Sequence, residues 1–202
     1  MPRTREQNEA MREAMRERIL KGAVVCFALN GYSGTKIGQL AKFIGIGQGT
    51  LYNYFASKED VFNAILEQAT EQNSASFDAL RRAPISAVEK IRFLSERMTA
   101  LIHDESDTAY ELVLNFRMGE EAGSDNMFTE SYGDAPSAVL ADIILTGQNE
   151  GAVVPGDPVL LADYYWAVVH SLAYLKLIHK SHYTIPAEWL TRLLVLDSEE
   201  NK

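Results

Sequence analysis

Apolar residues recur at intervals of three and four along most of the chain, which is the spacing of one face of an α-helix. In the first predicted helix, from about Glu6 to Asn30, this stripe comprises Leu20, Ala23, Val24, Phe27 and Ala28. The Asn30-Gly31 pair ends that helix, because glycine readily adopts the left-handed conformation of a helix C-terminus. No run of alternating polar and apolar residues is bounded by turn residues, so strands are not expected. The pattern predicts an all-α protein.

The next segment predicts two short helices and then a long one, at 35–43, 47–55 and 57–82. Thr35 is the expected N-cap of the first, because its side-chain oxygen can accept a hydrogen bond from the first turn. Gly45 lies in the turn between the short helices, where the chain can become left-handed. Ser57 caps the long helix, with Asp60 at the capping-box position.

The remainder predicts five more helices, which makes about nine in all. They cover Ser86–His103, Asp107–Ala122, Thr129–Glu150, Pro158–Lys180 and Pro186–Leu196. Segments with proline or glycine separate them, since both residues interrupt helices. We expect these helices to form an antiparallel helical bundle.

The two short helices fit a helix-turn-helix unit, whose second helix enters the DNA major groove while the first crosses the backbone. The positions that can face inward are Ile37, Leu40, Ala41, Ile46, Leu51 and Phe55. The outward positions are Lys36, Gln48, Gly49, Thr50, Tyr52, Asn53 and Tyr54. We therefore predict a three-helix DNA-binding head at residues 1–56 and an effector-binding and dimerisation body at 57–202.

The outward side chains have chemistry suited to DNA. Gln48 and Asn53 carry the paired donor and acceptor that match an adenine edge, and Thr50 can donate to phosphate or contact a thymine methyl group. The hydroxyls of Tyr52 and Tyr54 can reach phosphates and thereby position the protein. Gly47 and Gly49 allow the backbone to approach DNA closely.

The stretch GTKIGQLAKFIGIGQGTLYNYFASKEDVF at Gly34–Phe62 resembles the DNA-binding head of tetracycline-repressor-like (TetR-family) transcription regulators. The later helices are similar to the family's body only in length, helicity and the turn at 147–151. The resemblance implies that Thr50, Tyr52 and Tyr54 contact bases or phosphates. It also implies phosphate contacts by Lys36 and Lys58.

Two positions depart from the family pattern. Family members often have Ser or Thr where this chain has Gly47, and Lys or Arg where it has Gln48. A hydroxyl contact is thereby lost and a charged contact becomes neutral. We therefore expect electrostatics to supply a smaller share of the DNA affinity.

Charge is unevenly distributed along the chain. The net charge is −9, yet residues 1–60 hold nine Lys/Arg against six Asp/Glu, whereas the remaining 142 residues hold ten against 22. A basic head can meet phosphates while an acidic body stays soluble. Near the N-terminus, Arg3, Arg5 and Arg12 either reach DNA as an arm or belong to a solvated helix with Glu13–Arg16 and Glu17–Lys21 pairs.

Other functional classes find little support. The glycines at 45–49 do not follow a strand, as a dinucleotide-binding loop would. His179 and His182 have the spacing of metal ligands on a helix, but no cysteine or carboxylate lies close in sequence. Cys26 falls in the apolar stripe of the first helix, which favours a buried thiol. Neither Glu-x-x-His pairs nor a nucleophile with its base is recognisable, so we expect no enzymatic activity, no metal and no cofactor.

The composition favours a cytoplasmic protein. The first twenty residues carry five arginines and no apolar stretch, which predicts no signal peptide, and a single cysteine predicts no internal disulfide. The apolar segment 159–179 contains Asp163, His170 and Lys176, which indicates a buried helix rather than a membrane span.

The body supplies the candidate effector site and the candidate subunit interface. The residues expected to line a pocket for a small apolar or aromatic ligand are Phe77, Phe93, Met98, Tyr110, Phe116, Trp166, His170 and Tyr174. Ordinary core packing is the alternative for each of them. The residues expected at a homodimer interface, as the resemblance implies, are Tyr164, Val168, Leu172, Leu175, Ile178, Trp189, Leu193 and Leu196.

Together these features favour a homodimeric transcriptional repressor that a small ligand releases from a palindromic double-stranded operator. A ligand in the body would tilt the fourth helix and change the spacing of the two heads. The alternative is a helix-turn-helix dimer that activates transcription or senses no ligand. An all-helical enzyme is the least favoured class.

Overall fold

The computed structural model describes residues 5–103, 134–179 and 184–196, and within these ranges it contains eight α-helices. They are α1 (Arg5–Asn30), α2 (Ile37–Ile44), α3 (Gln48–Tyr52), α4 (Lys58–Arg82), α5 (Ala87–His103), α6 (Asp134–Asn149), α7 (Pro158–His179) and α8 (Ala187–Thr191). The all-α class is confirmed. The predicted helix Asp107–Ala122 and the start of the predicted helix Thr129–Glu150 lie outside the described residues.

The chain divides into two compact units, unit 1 at residues 1–69 and unit 2 at residues 70–202. Our predicted boundary between residues 56 and 57 separates the head from α4, whereas the packing assigns the first turns of α4 to unit 1. The reason is that Val61, Phe62 and Ile65 of α4 are buried there. Helix α4 therefore begins in unit 1 and ends in unit 2.

The core of unit 1 is formed by the apolar faces of α1, α2, α3 and the start of α4. Phe27, Leu40 and Leu51 are fully buried, and the Phe27 ring meets the Phe62 ring edge-on with centroids 5.9 Å apart. Of the positions predicted to face inward, the buried ones are Leu40, Ala41, Leu51 and Phe55, and the half-buried ones are Ile37 and Ile46. The predicted inward face is thus confirmed.

Glycines end α1 and α2 as predicted. Gly31 and Gly45 have φ angles of 76° and 74°, in the left-handed region that glycine adopts without a steric penalty. The predicted N-cap role of Thr35 is wrong, because its buried hydroxyl donates to the Gly31 carbonyl at 2.7 Å and α2 begins two residues later. Gln39 Oε1 instead accepts a hydrogen bond from the Lys36 N–H at 2.9 Å, which satisfies one N–H group at this helix end.

For α3 the predicted boundaries differ from the observed ones, whereas for α4 the predicted start is correct. Helix α3 is shorter than the predicted 47–55, because the N–H groups of Tyr54 and Phe55 both donate to the Leu51 carbonyl in a tighter turn beyond the helix. The predicted cap of α4 is confirmed, since Ser57 Oγ accepts a hydrogen bond from the Asp60 N–H at 3.0 Å.

Unit 2 contains the end of α4 and helices α5–α8. Helix α6 packs along α7, and α5 packs against α6, α7 and α8. Its fully buried large side chains are Ile91, Ile102, Leu140, Ile144, Tyr165, Leu190 and Leu194. A side chain on Gly147 would collide with Val153, so glycine at this position permits close packing.

The predicted helix Pro186–Leu196 is wrong beyond Thr191. Helix α8 has five residues, and after a turn Val195 pairs with Val153 in an isolated antiparallel bridge. N–H···O bonds of 2.8 and 3.0 Å between 194–196 and 152–154 flank this bridge. Helical periodicity does not reveal such a long-range pairing, whereas the β-branched valines suit it.

Candidate nucleic-acid interface and aromatic cluster

Helices α2 and α3 form the predicted helix-turn-helix unit. The three residues 45–47 join them, and Gly45 reverses the chain in its left-handed conformation. The Ile46 N–H donates to the Ala41 carbonyl at 3.0 Å, and the Leu51 N–H donates to the Gly47 carbonyl at 3.1 Å. The turn is thus fixed by backbone hydrogen bonds on both sides.

Helix α3 and its flanks present a polar surface to solvent. Of the predicted DNA contacts, the exposed ones are Lys36, Gln48, Gly49, Tyr52 and Asn53, and the half-buried ones are Thr50, Tyr54 and Lys58. Tyr52 is 48% exposed, whereas the neighbouring Leu51 is fully buried. One side of α3 therefore anchors the helix, and the other offers hydrogen-bonding groups to a partner.

The side chain of Gln48 lies close to Gly38 of α2. A Cβ atom at Gly38 would stand 3.2 Å from Gln48 Oε1, which is tighter than ordinary van der Waals contact. The absence of a side chain at Gly38 therefore gives the Gln48 amide its position beside the first turn of α2. Sequence reasoning did not identify Gly38, because the contact depends on how α2 and α3 cross.

Two arginines of α1 contact the helix-turn-helix unit. Arg18 Nη2 donates to the Ile44 carbonyl at 3.1 Å, at the C-terminal end of α2 where helix carbonyls lack intrahelical partners. The Arg16 guanidinium lies 5.7 Å from the centroid of the Phe55 ring, within cation–π range. These side chains tie α1 to the turn between α2 and α3 and to the segment that follows α3.

The predicted ion pairs of a solvated α1 are present. Lys21 Nζ lies 2.9 Å from Glu17 Oε1, and Arg16 Nη1 lies 3.9 Å from Glu13 Oε1. A third pair joins Arg5 and Glu9 at 2.9 Å. All are exposed, so each contributes little to stability. Arg3 lies outside the described residues, and an arm that reaches DNA stays a prediction.

Lys58 joins the start of α4 to the loop before α2. Its Nζ donates to the carbonyls of Tyr32 at 2.9 Å and Thr35 at 3.1 Å, and it lies 4.2 Å from the centroid of the Tyr32 ring. The Tyr32 hydroxyl in turn donates to Glu59 Oε1 at 2.9 Å. The Glu59 backbone N–H and this hydroxyl lower the pKa of the Glu59 carboxyl. We call these four residues the α4 clasp.

Unit 2 contains a group of aromatic side chains around Trp166, of which Tyr165 and Trp166 are buried and Phe77 and His170 are half-buried. Phe77 and Tyr165 meet the Trp166 ring edge-on, with centroids 5.8 and 5.6 Å away, and His170 stacks on it at 6.1 Å. Burial lowers the pKa of His170 to about 4, so its imidazole is neutral near pH 7. We call Phe77, Tyr165, Trp166 and His170 the aromatic cluster.

Polar groups of the aromatic cluster differ in their hydrogen bonding. The Tyr165 hydroxyl lies 3.1 Å from Ser95 Oγ, and burial raises the pKa of Tyr165 to about 12. Trp166 is 9% exposed, and its indole N–H has no hydrogen-bond acceptor among the described residues. A buried donor in this state is uncommon in folded proteins.

The structure brings together three of the eight predicted pocket residues, namely Phe77, Trp166 and His170. Of the others, Met98 is buried in α5, whereas Phe93 and Tyr174 are 51% and 44% exposed. Tyr110 and Phe116 lie outside the described residues. Tyr165 could have been added to the predicted pocket residues, because it is an aromatic residue next to Trp166 in the sequence. No sequence pattern indicated that Ser95 lies beside it.

Helix α7 carries an exposed apolar face. Its exposed positions at intervals of three and four are Leu160, Tyr164, Ala167, Ser171 and Tyr174, which we call the α7 stripe. Tyr164 and Leu175 of the predicted interface are exposed, whereas Val168 and Leu172 are half-buried and the Ile178 side chain is not described. Trp189 and Leu196 are exposed too, and Leu193 is half-buried. Among the described helices, α7 included, none combines the length and apolarity needed to span a membrane.

Cys26 is buried, as predicted. Burial raises the pKa of its thiol, while hydrogen bonds from Asn30 and Thr35 act in the opposite direction. A buried thiol with a raised pKa is a poor nucleophile. For the pair His179 and His182, which has the spacing of metal ligands, the side chain of His179 and all of His182 lie outside the described residues.

Comparisons with a protein family, with individual proteins and with solved structures all find transcriptional regulators. The family described as "Bacterial regulatory proteins, tetR family" matches residues 19–65. The regulator RutR of Escherichia coli K12 is 30% identical over 159 residues, which cover 76% of this chain and 71% of RutR. UidR of the same strain is 34% identical over 98 residues, or 48% of this chain, and the match spans about half (47%) of UidR. Both relatives are described as HTH-type transcriptional regulators.

Among solved structures, this chain is similar to the ketosteroid transcriptional regulator KstR2 of Mycobacterium tuberculosis. The TM-score is 0.70 at 18% sequence identity, and the match covers 91% of this chain and 96% of that one. At this level of identity the likeness concerns the fold.

Proposed function

The chain belongs to the TetR family of bacterial regulatory proteins, and on that premise we propose that it is a homodimeric transcriptional repressor that a small ligand releases from DNA. The observation that carries the proposal is the polar, exposed side of α3 on a helix-turn-helix whose opposite side is buried. We place its action in the cytoplasm, where operator DNA is found.

The proposed DNA contacts divide into two groups. Base-edge contacts come from Gln48, Thr50 and Asn53, whose donors and acceptors can pair with bases in the major groove. Phosphate contacts come from Lys36, Tyr52, Tyr54 and Lys58, with Gly49 permitting close approach. Lys58 already donates to two carbonyls, which leaves its third N–H for a phosphate.

A second copy of this chain is the proposed partner of the α7 stripe. The stripe combines large apolar side chains at Leu160, Tyr164 and Tyr174 with small residues at Ala167 and Ser171, and small residues let two helices approach closely. Contiguous exposed apolar surface of this kind marks interaction sites. A symmetric dimer would present two α3 helices about one turn of DNA apart, or somewhat more, which matches a palindrome.

The aromatic cluster is the proposed effector site, and α4 is the proposed link to the head. Phe77 of the cluster and Lys58 of the α4 clasp lie on the same continuous helix. A ligand that favours one position of α4 shifts the equilibrium by its differential affinity for the two states. A coupling of about 1–3 kcal/mol would weaken operator binding about 5- to 150-fold.

The proposal is tested by selection of bound sequences from a pool of random DNA duplexes with the full-length protein. We expect enrichment of a palindrome whose half-sites lie about one helical turn or somewhat more apart. A pool without enrichment, or with a single asymmetric site, would refute the homodimeric repressor.

Light scattering tests the dimer separately. We expect a particle of twice 22.5 kDa, and the substitution Tyr164→Arg in the α7 stripe should yield the monomer. The matched control is Ile85→Arg, which places the same charge on an exposed apolar residue outside α7 and should leave the dimer intact. Loss of the dimer in both variants, or in neither, would contradict the assigned interface.

A further inference from the structure

The indole N–H of Trp166 is the one buried side-chain donor without an acceptor in the part of the chain that the structure describes. Trp166 is 9% exposed, and Nε1 has no acceptor among the described residues. The neighbouring Tyr165 hydroxyl, by contrast, is paired with Ser95 Oγ at 3.1 Å. A buried donor without an acceptor is costly, so a native structure that keeps one calls for an explanation.

We propose that the Trp166 N–H is the recognition donor of the effector site, and that the effector is an uncharged cyclic molecule with a carbonyl or ether oxygen. This inference rests on the proposed function, because it takes the aromatic cluster as the effector site. An indole nitrogen can donate but cannot accept, so the ligand atom that pairs with it must be an acceptor.

Among the described residues, the side chains that pack on the Trp166 ring carry no charge near pH 7, which disfavours a charged ligand. His170 is neutral near pH 7, and Tyr165 does not ionise below about pH 12. Asp78, the charged residue next to Phe77, is 3.4 Å from Arg81 and 3.5 Å from Arg82, with which it pairs. A ligand charge in the cluster would lose hydration without gaining an opposite charge from these described side chains, which is unfavourable.

The surrounding rings favour a cyclic ligand. Phe77, Tyr165 and His170 all meet the Trp166 ring within 6.1 Å. Aromatic surfaces of this kind bind flat or compact rings by stacking and edge-to-face contact. The single donor then sets the orientation, as a few placed polar groups do in apolar sites.

The experiment uses the full-length protein with ¹⁵N-labelled indole groups. The chain has two tryptophans, Trp166 and Trp189, so two indole signals are expected, and Trp189→Phe assigns them. The probes are acetophenone, ethylbenzene, which lacks the carbonyl, and benzoate, which adds a charge. Trp189 is 61% exposed and outside the cluster, so it serves as the internal control.

We expect acetophenone to move the Trp166 indole proton downfield while the Trp189 signal stays in place. Ethylbenzene and benzoate should bind at least about tenfold more weakly than acetophenone, because one lacks the acceptor and the other is charged. The substitution Trp166→Phe, which keeps a ring and removes the donor, should weaken acetophenone binding by about tenfold.

Three results would overturn the inference. They are equal affinities for acetophenone and ethylbenzene, a shift of Trp189 instead of Trp166, and no binding of acetophenone. None of these measurements involves DNA, so failure of the inference is distinct from failure of the repressor proposal. If selection yields no palindrome while the Trp166 signal responds as expected, the repressor proposal fails and the ligand chemistry stands.

Discussion

Replacement of Lys58 by methionine tests whether the α4 clasp holds the head together. The substitution removes the ammonium group and keeps an aliphatic stem of similar length. It deletes the hydrogen bonds to the Tyr32 and Thr35 carbonyls, at 2.9 and 3.1 Å, and the cation–π contact at 4.2 Å. The loop before α2 then loses its attachment to the first turn of α4.

The magnitude follows from these contacts. A hydrogen bond to a charged group contributes about 1.5–3 kcal/mol, and a cation–π contact at an exposed site contributes about 0.5–1 kcal/mol. Lys58 is half-buried, so water replaces part of what is lost. We therefore expect the free energy of unfolding of unit 1 to fall by about 2 kcal/mol.

The assay is urea denaturation followed by circular dichroism at 222 nm, because both tryptophans lie in unit 2 and do not report on the head. The matched control is Lys42→Met, which removes an exposed lysine of α2. We expect a change of less than about 0.5 kcal/mol for that control. If Lys58→Met unfolds at the same urea concentration as Lys42→Met, the clasp does not hold the head.

The same two variants test the phosphate contact of Lys58. Each phosphate contact contributes about 0.9 to the slope of log affinity against log salt concentration. Lys58→Met should therefore reduce the magnitude of this slope by about 1.8 per dimer, whereas Lys42→Met should leave it unchanged. A lower affinity with an unchanged slope would show that Lys58 acts by positioning the head alone.

Three further outcomes are expected. Gly45→Ala should cost about 1 kcal/mol or more of stability in urea denaturation, because φ is 74° there, whereas Gly49→Ala, with open space around it, should be neutral or stabilising. Ser57→Ala should cost about 1 kcal/mol by removing the cap on the Asp60 N–H, and Ser57→Asp should restore it. The pKa of His170 is lowered to about 4 in the folded protein, whereas a free histidine has a pKa of about 6.5. Between these two pH values the unfolded chain binds a proton that the folded chain does not. The free energy of unfolding should therefore fall as the pH drops from about 6.5 to about 4, by up to about 3 kcal/mol. This pH dependence of stability should disappear in His170→Gln. If it persists in that variant, another titratable group causes it.

The head was predictable from sequence because local signals fix it. The apolar stripe of α1, Gly45 in the turn and Ser57 before α4 each act within a few residues, and each is found where the pattern placed it. The N-cap prediction at Thr35 failed because a nearer acceptor, the Gly31 carbonyl, takes its hydroxyl. Propensity identifies residues that can cap a helix, but the surrounding turn decides which of them does.

The candidate sites were less predictable because they depend on contacts far apart in sequence. The clasp joins Lys58 to Tyr32, and the aromatic cluster joins Phe77 to Trp166. Helical spacing shows that Phe93 lies on a helix, but it does not show that this residue is exposed. The end of α8 was missed for the same reason, since its bridge partner lies in the segment 152–154.

Base recognition by α3 and by Asn53, the residue directly after it, is tested most directly by the ratio of affinities for operator and random duplexes. The ratio is measured for Gln48→Ala and Asn53→Ala, with Lys42→Ala as the control outside the exposed side of α3. Loss of a bidentate base contact costs about 1–3 kcal/mol of discrimination. We expect the ratio to fall about 5- to 150-fold in the Gln48→Ala and Asn53→Ala variants, while binding to random DNA and the control ratio stay unchanged. Equal losses on operator and random DNA, or an unchanged ratio in both of these variants, would contradict base recognition by this segment.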